Sequence, residues 1–230
     1  MAKPMLEASW RRARGALLAL VCSVVMVVAT LEHTPAQDRG VFCRPVSERA
    51  GEVGCWIVAH APHGQLSQPA VFWHLDTYPT RTEAEAAKGS RGTVVEALGK
   101  VWLFTIGEAG WRPPGGVRVA EIGPLHVKSS EQYTGRYMEA IFNPGMTTAV
   151  HRHPGPEAWY TTAGEVCLET PEGKTVGRAG ESTIVPAGPP MQLTATGSEQ
   201  RRSLVLILHE SAQPPGSPVS DWTPKGLCKN

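Results

Sequence analysis

At 230 residues, with 41% apolar and 19% charged residues and a formal net charge of +1, the chain can bury one good-sized core or two small ones. Its basic residues are not massed on any segment beyond the N-terminus, which leaves a nucleic-acid role without an electrostatic footprint. It has no Gly-x-Ser-x-Gly elbow, phosphate loop or dinucleotide fingerprint, so nucleophilic-serine and nucleotide chemistry lack support.

The first element in chain order is an export segment, residues 1–36. Arg11, Arg12 and Arg14 precede an apolar run from Gly15 to Thr30, and the polar stretch Glu32 to Gln37 follows. This is the layout of a signal peptide, with Ala29 and Ala36 marking candidate cleavage sites. A spanning helix needs about 20 apolar residues, more than this run offers, which makes a retained signal anchor the second choice. The expected location is periplasmic or extracellular. The alternative is attachment through the uncleaved segment, the one membrane contact expected. The Arg11-Arg12 pair lacks the hydrophobic follow-on of a twin-arginine signal. Loss of residues 1–29 removes four basic residues and one acid, leaving a mildly acidic chain with four cysteines, Cys43, Cys55, Cys167 and Cys228. An even number suits pairing in an oxidising compartment, and a bridge from Cys228 would tie a Pro-rich tail to the body. Spacing leaves the connectivity open, and free buried thiols are the other option; a zinc cluster is disfavoured because there is no Cys-x-x-Cys.

Residues 41–116 predict a small α+β region. Val53–Ala59, Ala70–Leu75 and Val101–Ile106 are rich in β-branched and aromatic residues and predict strands. Thr80 to Lys88 predicts a helix of alanines and charges, capped by Thr80 or Thr82 and closed by Gly89. Trp56, Trp73, Trp102 and Trp111 fit core packing better than ligand stacking. His74 fits a hydrogen-bonded structural histidine, and His60 to His63 a Pro/Gly loop. Arg112 to Gly116, with paired prolines and glycines, is the expected linker.

From Val117 to Glu210 short runs alternate with turns at Gly145, Pro154-Gly155, Gly164, Pro171 to Gly173 and Pro186 to Pro190. That spacing predicts a small β-barrel or jelly roll over 117–210, and a mainly β fold for the whole chain. Within it, His151 and His153 alternate with Arg152, so on a strand both imidazoles share one face. Pro154-Gly155-Pro156 cannot continue a ladder, and the fold-back brings Glu157 in on the next strand. Two imidazoles and a carboxylate suit a divalent first-row ion, Fe, Mn, Ni or Zn. A lone strand histidine is more often a hydrogen-bonded core residue; spacing, turn chemistry and donor type together favour a metal site here. Alternation from Glu157 places Trp159 and Thr161 on the inner face as pocket walls, with Tyr160 outward.

The stretch Gly145, His151, His153, Glu157, Gly164 resembles the first signature of the cupin superfamily, G-x5-H-x-H-x3-E-x6-G, at every specified position. Gly180, Pro186 and Gly188 resemble its second signature. Met191 then stands where the family usually has a further histidine ligand, and Ala195 where it often has asparagine. The resemblance implies an RmlC-like cupin barrel, with Met191 and Leu193 directed inward as pocket lining. A thioether suits Cu(I) and not these divalent ions, so Met191 is read as core filler. The site then has three ligands with open positions, is completed by His126, His209 or Gln192, or is weakened.

The function expected is an exported metalloprotein that binds a small organic ligand or substrate. If it is an enzyme, the ion would act as Lewis acid or bind O2, in an oxygenase, isomerase or lyase reaction. The alternative is a non-catalytic module that binds or senses a small molecule. The family's habit of pairing barrels edge to edge implies a homodimer as one assembly. The Pro/Ser-rich tail, 211–230, is expected to drape over the surface.

Overall fold

The computed structural model describes residues 42–229. The expected export segment and its cleavage sites lie outside the described residues. The first half holds β1 (Cys43–Pro45), β2 (Gly54–Gln65), β3 (Ala70–Tyr78), α1 (Arg81–Ala87), β4 (Gly92–Ala97), β5 (Lys100–Gly107) and β6 (Val117–His126). There follow β7 (Gln132–Phe142), β8 (His151–Arg152), β9 (Glu157–Ala163), β10 (Glu165–Thr170) and β11 (Gly173–Arg178). The chain closes with β12 (Ser182–Val185), β13 (Gln192–Thr196), β14 (Arg201–Glu210) and β15 (Ser217–Pro218).

The architecture is mainly β and built around a six-stranded sheet of order β1-β2-β7-β14-β9-β12. One face of that sheet closes against the three-stranded sheet β11-β10-β13 to form the small barrel, whose core holds Met138, Phe142, Trp159, Val166, Leu193 and Val205. The other face packs on the four-stranded sheet β4-β5-β3-β6 around Trp73, Trp102, Phe104 and Tyr137. Strand β14 shows why the central sheet reads as a continuous apolar run. Val205 and Ile207 face the barrel core, while Leu204, Leu206 and Leu208 face the second core. A strand covered on both sides has no polar face to alternate with. Each of those three leucines is 0% exposed, a burial that contributes about 1.5–3 kcal/mol apiece.

The segments 41–116 and 117–210 share sheets. Strand β2 pairs with β7 of the barrel, and β6 pairs with β3. The expected linker, Arg112 to Gly116, is a loop between β5 and β6 held down by the Tyr78 hydroxyl donating to Pro114 O at 2.7 Å. His60 to His63 lie within β2 and not in a loop, which corrects the sequence expectation. Pro62 is tolerated because β1 pairs only with Cys55 to Ile57, so β2 has a bare edge there, and the register shifts around Pro62. Helix α1 begins where its chemistry dictates: Thr80 accepts from the Glu83 N–H at 3.2 Å, and Ala84 is its buried residue.

Two disulfides settle the connectivity that spacing left open. Cys43–Cys55 joins the paired strands β1 and β2, and Cys167–Cys228 ties the C-terminal tail to β10. By loop-closure entropy they stabilise by about 3 and about 4 kcal/mol respectively. The tail is further fastened by Glu169, whose carboxylate accepts from the N–H groups of Lys225, Gly226 and Leu227. Residues Ser217 and Pro218 pair with Arg152 and His151 as a short strap over β8.

Candidate metal centre

The barrel brings His151, His153 and Glu157 together with one donor atom from each, all within 4.8 Å of one another. His151 lies on β8 and bonds through its backbone to Met191 (N–H to O 3.1 Å and 2.8 Å in the two directions). The turn after His153 is pressed against β14. A Cβ at Gly155 would collide with the Leu208 carbonyl oxygen, so only glycine permits the fold-back that delivers Glu157 to β9. Gly164 makes the next turn at φ 66°, with its backbone against Arg201. The second glycine-rich loop supports the first: Gly188 donates to His153 O at 2.9 Å.

Each imidazole is oriented by a backbone carbonyl. His151 Nδ1 lies 2.7 Å from Ala149 O, and His153 Nδ1 lies 2.5 Å from Pro215 O. A carbonyl only accepts, so both Nδ1 atoms carry the proton and both Nε2 lone pairs are free to bind a cation. The rings stand 4.7 Å apart, edge to face. His153 Nε2 and Glu157 Oε2 face each other at 3.5 Å, both buried and both without a hydrogen-bond partner.

Burial dominates the electrostatics. It pushes His153 down to about 4 and Glu157 up to about 7, with His151 and then Arg201 opposing the rise of Glu157. His151 is lowered by burial first, against the pull of Glu157. The site therefore offers neutral imidazoles and a carboxyl held close to its titration point, the state in which a divalent ion exchanges for one proton. Two orphaned, buried acceptors cost free energy unless something cationic fills the space between them, and the donor set fits such an ion.

The remaining expected residues separate. Leu193 lines a cavity of about 180 Å3 that opens beside the three donors. Trp159 and Met191 share the barrel interior with Leu193 but lie within its packed core, at 1% and 0% exposure, and not on the cavity wall. Thr161 is 0% exposed and its hydroxyl has no partner. Close packing explains the difference: these side chains already fill the space they point into. His126 is exposed on β6 opposite Ala70, and Gln192 donates to Thr148 O. His209 is buried with Nδ1 2.9 Å from Glu210 O; none of the three joins the donor cluster.

Three contributors were absent from the sequence reading. Arg136 and Arg201 line the cavity, and Pro215 both lines it and orients His153. Pro215 lies 62 positions from His153, beyond any local pattern. Arg201 shares strand parity with Ser203, Val205 and Ile207, but both faces of β14 are apolar, so parity alone did not say which face meets the barrel.

Residues 138–207 match the family model for the cupin domain, and the chain carries a cupin domain there. Among solved structures it is similar to a cupin superfamily protein from Desulfitobacterium hafniense, at 15% identity over 37% of this chain and 74% of that one, TM-score 0.31. It is similar to the DMSP lyase DddQ from Ruegeria pomeroyi, at 20% identity over 37% and 43% of the two chains, TM-score 0.33. It also resembles the polyketide cyclase RemF from Streptomyces resistomycificus, at 22% identity over 39% and 63%, TM-score 0.32. The chain thus spans less than half of the lyase. No curated protein matches the sequence.

Proposed function

We propose that this is an exported metalloprotein in which His151, His153 and Glu157 hold a divalent ion, Fe, Mn, Ni or Zn, and the adjoining cavity admits a small organic molecule. The observation that carries this reading is the pair of buried, unpartnered acceptors, His153 Nε2 and Glu157 Oε2, 3.5 Å apart. When bound, an ion of this class supplies Lewis acidity or redox reactivity, the basis of oxygenase, isomerase or lyase chemistry. The protein's own part is positional. Ala149 O and Pro215 O fix the two imidazole tautomers, and Met191, by keeping its neutral side chain in the apolar core, leaves the donor set at three. Met138, Val205 and Ile207 give the cavity an apolar wall. Export is supported by the two disulfides, which persist in oxidising compartments, and by the basic-then-apolar N-terminal sequence.

Elemental analysis of anaerobically purified protein tests the reading. Near-stoichiometric metal that disappears in the His151→Ala/His153→Ala double variant is the expected result. Metal-free protein whose stability ignores chelators would replace it with a non-catalytic small-molecule binding module.

A further inference from the structure

Arg201 stands at the start of β14 with 1% of its surface exposed. Its Nε donates to Ser203 Oγ at 3.0 Å, and its guanidinium lies 5.3 Å over the Phe142 ring. Nη1 and Nη2 are buried and meet no acceptor. A guanidinium carries five N–H donors, so four remain unused in a low-dielectric setting, where an unpartnered charge is costly. Glu157 is near enough to act on Arg201 electrostatically, yet it accepts no hydrogen bond from it and is committed to the donor cluster.

Arg136 reinforces the same field. It lies on β7 in register parity with Met138, Ala140 and Phe142 of the barrel core, lines the same cavity, and has a buried Nε without a partner. Two guanidinium groups against one carboxylate leave the cavity positive even before a cation enters, and a divalent ion adds two further charges. The rest of the wall is apolar, contributed by Met138, Ala140, Leu193, Val205 and Ile207. At about 180 Å3 the cavity is smaller than the roughly 300 Å3 at which pockets for drug-sized molecules begin.

From the unused donors of Arg201, the surplus of positive charge and the apolar wall, we infer that the cavity binds a small aliphatic carboxylate, its two oxygens taken by the Nη groups of Arg201. Planar guanidinium and carboxylate match in a two-pronged hydrogen bond, and Arg201 is held for it by Ser203 and Phe142. Arg136 contributes charge from the side, and the hydrocarbon part of the ligand lies on the apolar wall. This deepens the proposed function by naming the ligand class, and rests on it only for the ligand's proximity to the metal centre.

The test compares isobutyrate with isobutyramide, matched in size and differing in charge, by calorimetry or ligand-observed NMR on metal-loaded and chelator-treated protein. The acid is expected to bind at least tenfold more tightly than the amide in both states. In Arg201→Gln that preference is expected to fall at least tenfold with metal content unchanged. Equal binding of acid and amide by the native chain, or an undiminished preference in Arg201→Gln, overturns the inference. Where Arg201→Gln does not fold, Arg201→Lys keeps the charge without the two-pronged geometry. A fivefold or greater weakening of the acid there supports the inference, and unchanged binding refutes it. Metal analysis separates the two readings. Native protein without metal but with an Arg201-dependent preference for the acid removes only the metal centre, and metal-loaded protein without that preference removes only the carboxylate anchor.

Discussion

Two polar clusters, one on each side of the central sheet and each with a buried histidine and a buried carboxylate, combine the same residue types in opposite ways. In the four-stranded sheet His74, Asp76, Arg118 and Glu121 close on one another. Arg118 donates to Asp76 at 2.8 Å, to Glu121 at 3.2 Å, to His74 Nδ1 at 3.0 Å and to Trp111 O at 2.6 Å, while His74 Nε2–H donates to Glu108 O at 2.9 Å. Among the buried atoms there, only Asp76 Oδ2 remains without a partner. In the barrel His153 Nε2, Glu157 Oε2 and both Nη groups of Arg201 are left open around a cavity. A cluster that saturates itself stabilises the fold; one that leaves several buried groups unpaired waits for something to be added. His74 and His153 are both pushed down by burial, so titration alone would not tell them apart, and partner geometry does.

Single substitutions at the two histidines should separate the clusters most sharply. His153→Ala is expected to weaken metal binding by more than about a hundredfold, because it removes a donor as well as its orienting bond. His74→Ala should leave metal content untouched. Metal retained in the first variant, or lost in the second, would break the contrast. The Cys167→Ser/Cys228→Ser pair frees the tail that carries Pro215, and it is expected to lower unfolding stability by about 4 kcal/mol and metal affinity by about tenfold. Denaturant titration with metal analysis of the same samples reads both effects. Arg118→Ala strands two carboxylates and a histidine and should lower stability by about 3 kcal/mol with metal content preserved. Loss of metal in that variant would show the two clusters to be coupled.

The smallest effect expected is on pH dependence. Glu157, raised from 4.5 to about 7, gives the metal-free fold stability that is present below pH 4.5 and lost as pH rises through about 7. His153, lowered from 6.5 to about 4, gives stability that is present above pH 6.5 and lost as pH falls through about 4. On the proposed metal reading the ion would displace the Glu157 proton, so the gain in Tm on adding Mn or Zn should increase between about pH 5 and about pH 8. A gain that is flat across this window would mean that Glu157 is not a ligand.

Much of the site was legible because its geometry is local. Alternation puts His151 and His153 on one face, and the Pro154-Gly155-Pro156 turn returns the chain within four residues to Glu157. The barrel strands and the Thr80 cap follow from equally short-range rules. The tail expected to drape over the surface was misjudged in importance: its prolines and serines signal an irregular segment, but no sequence rule shows that Pro215 orients a histidine. Leu204 to Leu208 gave an apolar strand without revealing two different cores, because a run of leucine, valine and isoleucine has no parity of its own.

By itself, then, the amino-acid order determined the β architecture, the two turns and the three donors, all set by backbone stereochemistry across a few residues. Tertiary structure alone decided the cysteine pairing, the covering of the barrel's outer face by residues 70–126, and the place of Arg136 and Arg201 beside the donors. Those arrangements join positions far apart in the chain, and they are fixed by which apolar faces can be buried together once the sheets close.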